Sequence, residues 1–274
     1  MDKPTAQHLI RLALGAAQSR AAGLDAADQA LMVSAVQMDV IERLTPVQRG
    51  RVLERALMAP YPRGFFLALR ACGGLRRLLP EVDALFGVPL IGEGPEPIDI
   101  GEHQLGALDQ AARRAAPLAV RWAALLQKIG MGRTPPLFWP SHVGHEARGL
   151  ALLAPLSARI ALAPTSLDLA ALAIAEAERV HRASKLRAGP IAALLARTEA
   201  ETRPDRFAQL LEVCICDHAA HPGHGEADYT KAPRMRQALA AYLAVAPQGR
   251  DAEALLQARA QAIDVALRAG TTED

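Results

Sequence analysis

Eight histidines, one late aspartate and a dense run of arginines are the side chains here whose types could do chemistry. The histidines fall at 8, 103, 142, 145, 181, 218, 221 and 224. His103 and His142 flank irregular segments beside predicted helices, and Asp217-His218 closes a late helix. A histidine, a histidine pair and a distant aspartate are how the site of a helical phosphohydrolase looks before folding, since imidazole and carboxylate suit hard or borderline divalent cations. No compact zinc pattern supports a metal: Cys214-x-Cys216 has no second cysteine pair. His221 and His224 lie in a Gly/Pro loop and are expected in solvent.

The arginines point elsewhere. Between Arg43 and Leu79 there are eight (43, 49, 51, 55, 63, 70, 76 and 77) against one acid, Glu54, a local balance of +7 in a chain of net +2. Guanidinium forks match phosphate oxygens, and clustered charge attracts polyanions. The plain alternative is a solvated helical face. No Gly-rich phosphate loop and no platform of exposed aromatics is legible, so the sequence does not support reading of individual bases.

The elements that must position these residues are helical. The chain has 274 residues, 51% hydrophobic but only 4% aromatic. A core of Leu, Ala and Val favours helices over a sandwich or barrel. Two helices are predicted before Arg43, broken at Gly23, with Asp25 capping the second. Thr45-Pro46 opens another, which stops at Pro60-Tyr61-Pro62. Helices follow at 63–72 and, after Gly73-Gly74, up to Phe86. Residues 87–100, rich in Gly and Pro, form the clearest joint. Later helices are predicted near 101–115, 117–129, 144–162, 166–183, 189–199, 204–219, 231–245 and 250–269, with a frayed tail. No run is apolar enough to span a membrane, no signal peptide is legible, and three cysteines suit a reducing cytoplasm.

Several motifs match one family. They are Glu54-Arg55-Ala56-Leu57-Met58, Phe65-Phe66-x-x-Leu69-Arg70-x-Cys72-Gly73, and above all Leu79-Pro80-Glu81-Val82-Asp83-Ala84-Leu85-Phe86-Gly87-Val88-Pro89. Ile98-Asp99-x-Gly101-x-His103, Arg121-Trp122, Gly132-x-Thr134-Pro135-Pro136, Trp139-Pro140-x-His142-x-Gly144-His145, Arg203-Pro204, Asp217 and Ala227-Asp228-Tyr229 continue the match. From about residue 9 to 245 the chain resembles the neck and C-terminal HD phosphohydrolase domain of bacterial CCA-adding tRNA nucleotidyltransferases. The resemblance implies an all-α, elongated molecule: a neck over 1–90, an HD-like body over 91–225 and a helical tail over 226–274.

The departures from the family decide what activity it implies. The family's nucleotidyltransferase head, with its paired metal-binding aspartates, would precede residue 1, so this reading leaves the chain without it. Thr5 and His8 stand at arginine positions of the head–neck junction, and Val47-Gln48 replaces the Glu-Arg after Leu44-Thr45-Pro46. The family's His-Asp reads Gln127-Lys128, and a further histidine falls at Glu178, close to His181. His103, His142 and Asp217 stay at ligand-type positions. An ammonium cannot ligate a cation and repels one, so Lys128 is expected to occupy the old metal position and pair with Asp217 or Glu178.

The resulting expectation is a pseudoenzyme without cofactor or metal. It would bind tRNA or another structured RNA through Arg49, Arg51, Arg55, Arg63, Arg70, Arg76 and Arg77. Two alternatives stand beside it: a divergent HD-type phosphohydrolase using His103, His142 and Asp217, and an interaction subunit for a separate nucleotidyltransferase head or a second copy of itself.

Overall fold

The computed structural model describes residues 5–19, 24–92, 96–183, 187–225, 227 and 229–269. Gly23, Asp228 and the tail from Gly270 lie outside these. The described residues are predominantly helical, as the composition predicts. Helix α1 spans Ala6–Ala16, α2 Ala26–Gln37, α3 Pro46–Leu57, α4 Pro62–Ala71, α5 Gly74–Leu78 and α6 Pro80–Asp83. Helix α7 spans Ile100–Arg113, α8 Leu118–Leu126, α9 His145–Ile160, α10 Pro164–His181, α11 Ala188–Arg197, α12 Pro204–Ala219, α13 Lys231–Leu243 and α14 Ala252–Ala269.

The local signals act as expected. The Asp25 carboxylate accepts from Asp28 N at 2.7 Å. Thr45 and Gln48 form a reciprocal capping box at the start of α3. The helix predicted up to Phe86 is instead split into α5 and α6. Leu79 precedes Pro80, is pushed out of helical geometry (φ −136°, ψ 73°) and separates the two. The joint at 87–100 contains a short antiparallel ladder: β1 (Pro89–Leu90) pairs with β2 (Ile98–Asp99). Two residues per strand are too few for an alternation to show in sequence.

Two apolar cores share their walls. The first gathers Leu53, Phe65, Phe66 and Leu79 from the N-terminal helices with Trp122, Leu125, Leu126 and Ile174. The second gathers Val120, Ala123, Ala124, Leu172 and Val180 with Phe207, Met235 and Ile263. Helices α8 and α10 therefore bury two faces each, which is why Leu118–Leu126 is apolar almost all round. Arg121, the charged exception on α8, is buried and donates to the carbonyls of Ala116 and Leu57 at 2.9 and 2.7 Å. It thus ties α8 to the end of α3.

Beyond α8 the chain turns through Ile129–Arg133 as a 3₁₀ helix against α9. Gly130 permits this contact: a Cβ there would lie 1.9 Å from His145 O and 2.5 Å from Gly149 N. Both obstacles are backbone and cannot swing aside. Gly130→Ala should lose roughly 3 kcal/mol in urea denaturation. Gly15→Ala, where a Cβ meets nothing within 4 Å, should be neutral or stabilising by up to about 1 kcal/mol.

Candidate functional site: a buried carboxylate and its donors

Four helices converge on Asp217. Helix α7 supplies His103, the end of α8 supplies Gln127 and Lys128, α10 supplies Glu178 and His181, and α12 supplies Asp217 itself. The alignment of α7 with α12 is set by polar contacts on the face that carries His103. Gln110 Nε2 donates to Ala219 O at 2.7 Å, and Arg114 forms a two-pronged pair with Glu212. The end of α8 is set by Gln104, whose amide donates to the carbonyls of Ala124 and Leu125 at 2.8 and 3.3 Å. A helix end leaves such carbonyls without intrahelical partners.

The Asp217 side chain is 4% exposed and receives three hydrogen bonds. Oδ1 accepts from Lys128 Nζ at 2.7 Å, Gln127 Nε2 at 2.8 Å and His103 Nε2 at 2.9 Å. His181 Nε2 lies 3.1 Å from Oδ2. Lys128 thus points inward, and Glu178 stands farther off, 4.0 Å from the ammonium. The Tyr229 hydroxyl lies 3.0 Å from His181 Nδ1.

Charge and burial oppose each other here. Burial alone would lower the Lys128 ammonium, but Asp217 and then Glu178 outweigh it, so its pKa is raised. Burial alone would raise Asp217, but Lys128 and then His103 hold its carboxyl well below the usual range. Burial pushes the Cys214 thiol and the Tyr229 hydroxyl up, and Cys216 to about 12, so none of them is a ready nucleophile at neutral pH.

The structure corrects two expectations about histidines. His221 is not in open solvent: it is half-buried, its ring centroid is 4.4 Å from that of His103, and burial first and His103 second push its pKa down to about 4. His142, expected at a ligand-type position, is buried with both ring nitrogens engaged. Nε2 donates to Pro89 O at 2.9 Å, and Nδ1 lies 3.0 Å from the Thr134 hydroxyl, which itself accepts from Arg148. His142 pins the 134–144 loop to β1 and has no lone pair left for a cation. The family pattern put His181 only beside the position at Glu178, and nothing in the spacing of His221 placed it near Asp217; a helix end and a turn bring them there.

The donor set does not fit a divalent cation. His103, Asp217 and His221 do bring ligand atoms within 4.8 Å of one another. Asp217 Oδ1, however, already carries three N–H donors, and an ion about 4 Å from the Lys128 ammonium would meet roughly 8 kcal/mol of repulsion at an effective dielectric near 20. The surrounding cavity of about 320 Å³ is lined by Lys128, Glu178, His181, Asp217, His221 and Lys231, among others. Its cations and histidines outnumber its acids.

The N-terminal arginines divide. Arg49 donates to Leu44 O and Glu42 O, Arg63 pairs with Glu102, Arg70 lies 4.1 Å over the Phe86 ring, and Arg77 pairs with Glu42 at 3.1 Å. Arg51, Arg55 and Arg76 are exposed and make no ion pair among the described residues.

Fold and site define an all-α protein with a buried cluster in which an ammonium neutralises a carboxylate where four helices meet. A multifunctional CCA protein of Leptothrix cholodnii is 39% identical over 257 residues, covering 93% of this chain and 60% of its own length. Those of Nitrosospira multiformis and Burkholderia orbicola are 41% identical over 212 residues and 38% over 274, covering 77% and 96% of the chain. The chain belongs to the CCA-adding family that these proteins represent. It spans 60%, 51% and 66% of the length of these three relatives, and no family model matches it.

Because both charges of the pair are shifted, stability has two limbs. The Asp217 contribution is full above its unfolded pKa and is lost as pH falls through its depressed folded value. The Lys128 contribution is full below the unfolded ammonium value and is lost as pH rises through its raised folded one. Lys128→Met should cost about 3–5 kcal/mol at pH 7 and start the acid loss at a higher pH. Adding Asp217→Asn should restore part of it. Urea titrations from about pH 2 to about pH 12 test this, and an unchanged profile for Lys128→Met would refute the pairing.

Proposed function

We propose that this chain is a CCA-type protein that binds tRNA or another structured RNA, and that its HD-type centre neither holds a metal ion nor hydrolyses phosphate esters. The observation that carries the second half is the Lys128 ammonium 2.7 Å from Asp217. A fixed charge of +1 stands where the family's resemblance implies a cation. Without a metal there is no activated water and no Lewis acid, and the hydrogen bonds among His103, Gln127 and Asp217 hold shape instead. The three cysteines are buried and free, which suits a reducing cytoplasm. No described helix is long and apolar enough to cross a membrane.

The RNA half of the reading is supported by the family and by the exposed arginines of the N-terminal helices. Arg51 and Arg55 lie one turn apart on α3, with Arg76 on α5, and such groups contribute little to folding. One observation favours a second reading, a divergent phosphohydrolase: the near approach of His103, Asp217 and His221.

Elemental analysis of purified protein should find no stoichiometric divalent metal, and p-nitrophenyl phosphate and 2′,3′-cyclic nucleotides should be left intact. Close to one metal per chain, lost on His103→Ala, would establish the phosphohydrolase instead. Binding of tRNA should weaken steeply with salt, at roughly 0.7–0.9 in the log–log slope per phosphate contact. Replacing Arg51, Arg55 and Arg76 together by Ala should lower that slope by about 2 with the fold intact. If the slope is unchanged, the N-terminal arginines are not the contact surface.

A further inference from the structure

A second basic surface lies on the C-terminal helices. A cleft of about 500 Å³ between α11, α13 and α14 is lined by Arg187, Ala188, Arg234, Asp264, Leu267 and Arg268. Asp264 is taken by Arg268 at 2.9 Å. Arg187 and Arg234 make no ion pair among the described residues, and Arg234 Nε is buried with no hydrogen-bond partner. A polar atom in that state costs free energy until something accepts from it.

The arrangement around it is fixed. Gln237, one turn beyond Arg234, donates to Ala266 O at 2.8 Å and holds α13 against the last turns of α14. The charge balance is one-sided: from Thr230 to Gly249 the sequence has Lys231, Arg234 and Arg236 and no acid. Arg268 near the end of α14 is in a favourable place for a cation, but Arg187 at the start of α11 is not, because a helix N-terminus is already positive. Among the described residues nothing neutralises these two guanidiniums, and an anion seated between them would.

We propose that this cleft is a second contact for the phosphodiester backbone of RNA. Lys231, about one turn before Arg234 on α13, lines the cavity at Asp217, so basic groups continue out of the cleft at a spacing of about 5 Å. Such a track fits successive phosphates better than a lone one. The inference rests on the RNA reading above and adds a site to it. The exposed arginines of α3 and α5 pack with the first core and the cleft with the second, so one RNA would be gripped at two places and avidity would follow.

The test is fluorescence anisotropy of the full chain with labelled tRNA across a salt series. Arg187→Gln with Arg234→Gln should weaken binding about tenfold and lower the slope by about 1.5, two contacts' worth. Arg187→Glu, at an exposed position that leaves folding alone, should weaken binding at least as much. The change at Arg51, Arg55 and Arg76 should act independently, so that the effects multiply. Cleft variants that bind like the wild type, while the α3–α5 variant loses affinity, would overturn the cleft and leave the RNA reading standing. A wild-type chain that binds no RNA at low salt would end both. If millimolar inorganic phosphate protects the wild type from heat but not the cleft variants, and tRNA affinity is the same in both, the cleft is a site for small phosphates and the RNA proposal for it fails.

Discussion

One buried negative charge organises this protein. Taking a carboxylate out of water costs several kcal/mol unless charge and hydrogen bonds replace its hydration. Asp217 has both, from three donors on α7 and the end of α8, with His181 close beside them. The requirement propagates outward. His103 can reach the carboxylate only if α7 lies along α12, which Gln110 and Arg114 enforce. Lys128 can reach it only if α8 stops where Gln104 takes its last carbonyls and Gly130 lets the chain turn against α9.

The same constraint explains why residues 127 and 128 depart from the family pattern together. A carboxylate at 128 would stand beside Asp217 with like charge, and without a cation one of the two would have to take a proton. A histidine at 127 could donate as Gln127 does, but its second nitrogen would need a partner of its own. The amide has a similar cost: Gln127 Oε1 and His103 Nδ1 are buried without hydrogen-bond partners. The cluster is thus neutralised in charge but not saturated in hydrogen bonds.

Much of this was legible in the sequence because it is local. Caps at Asp25 and Thr45, helix starts at Pro46, Pro62 and Pro204, and the apolar run before Gln127 each carry their signal within a few residues. From that run and the family pattern, the inward direction of Lys128 followed. What escaped depends on turns and on partners distant in sequence. His221 reads as solvent-exposed because its loop is rich in Gly and Pro, yet the turn after α12 folds it back onto His103. His142 keeps the family's residue type, but Thr134 and Pro89 consume its nitrogens. The arginine run reads as one patch, although Glu102, Glu42 and Phe86 neutralise or cover three of its eight members from other elements.

A metal centre staples the helices that ligate it, so losing the ion should loosen them unless other contacts carry the alignment. Here they do. Helix α8 is packed on both faces by two cores, and its Arg121 reaches across to Leu57 O in the N-terminal half. Helix α10 joins the same two cores and delivers His181 to Asp217. The frame thus carries the alignment that the buried charge of Asp217 requires, and the Lys128 ammonium supplies the charge that neutralises it. The two basic surfaces are built on helices packed on these two cores, α3 and α5 on the first and α11, α13 and α14 on the second.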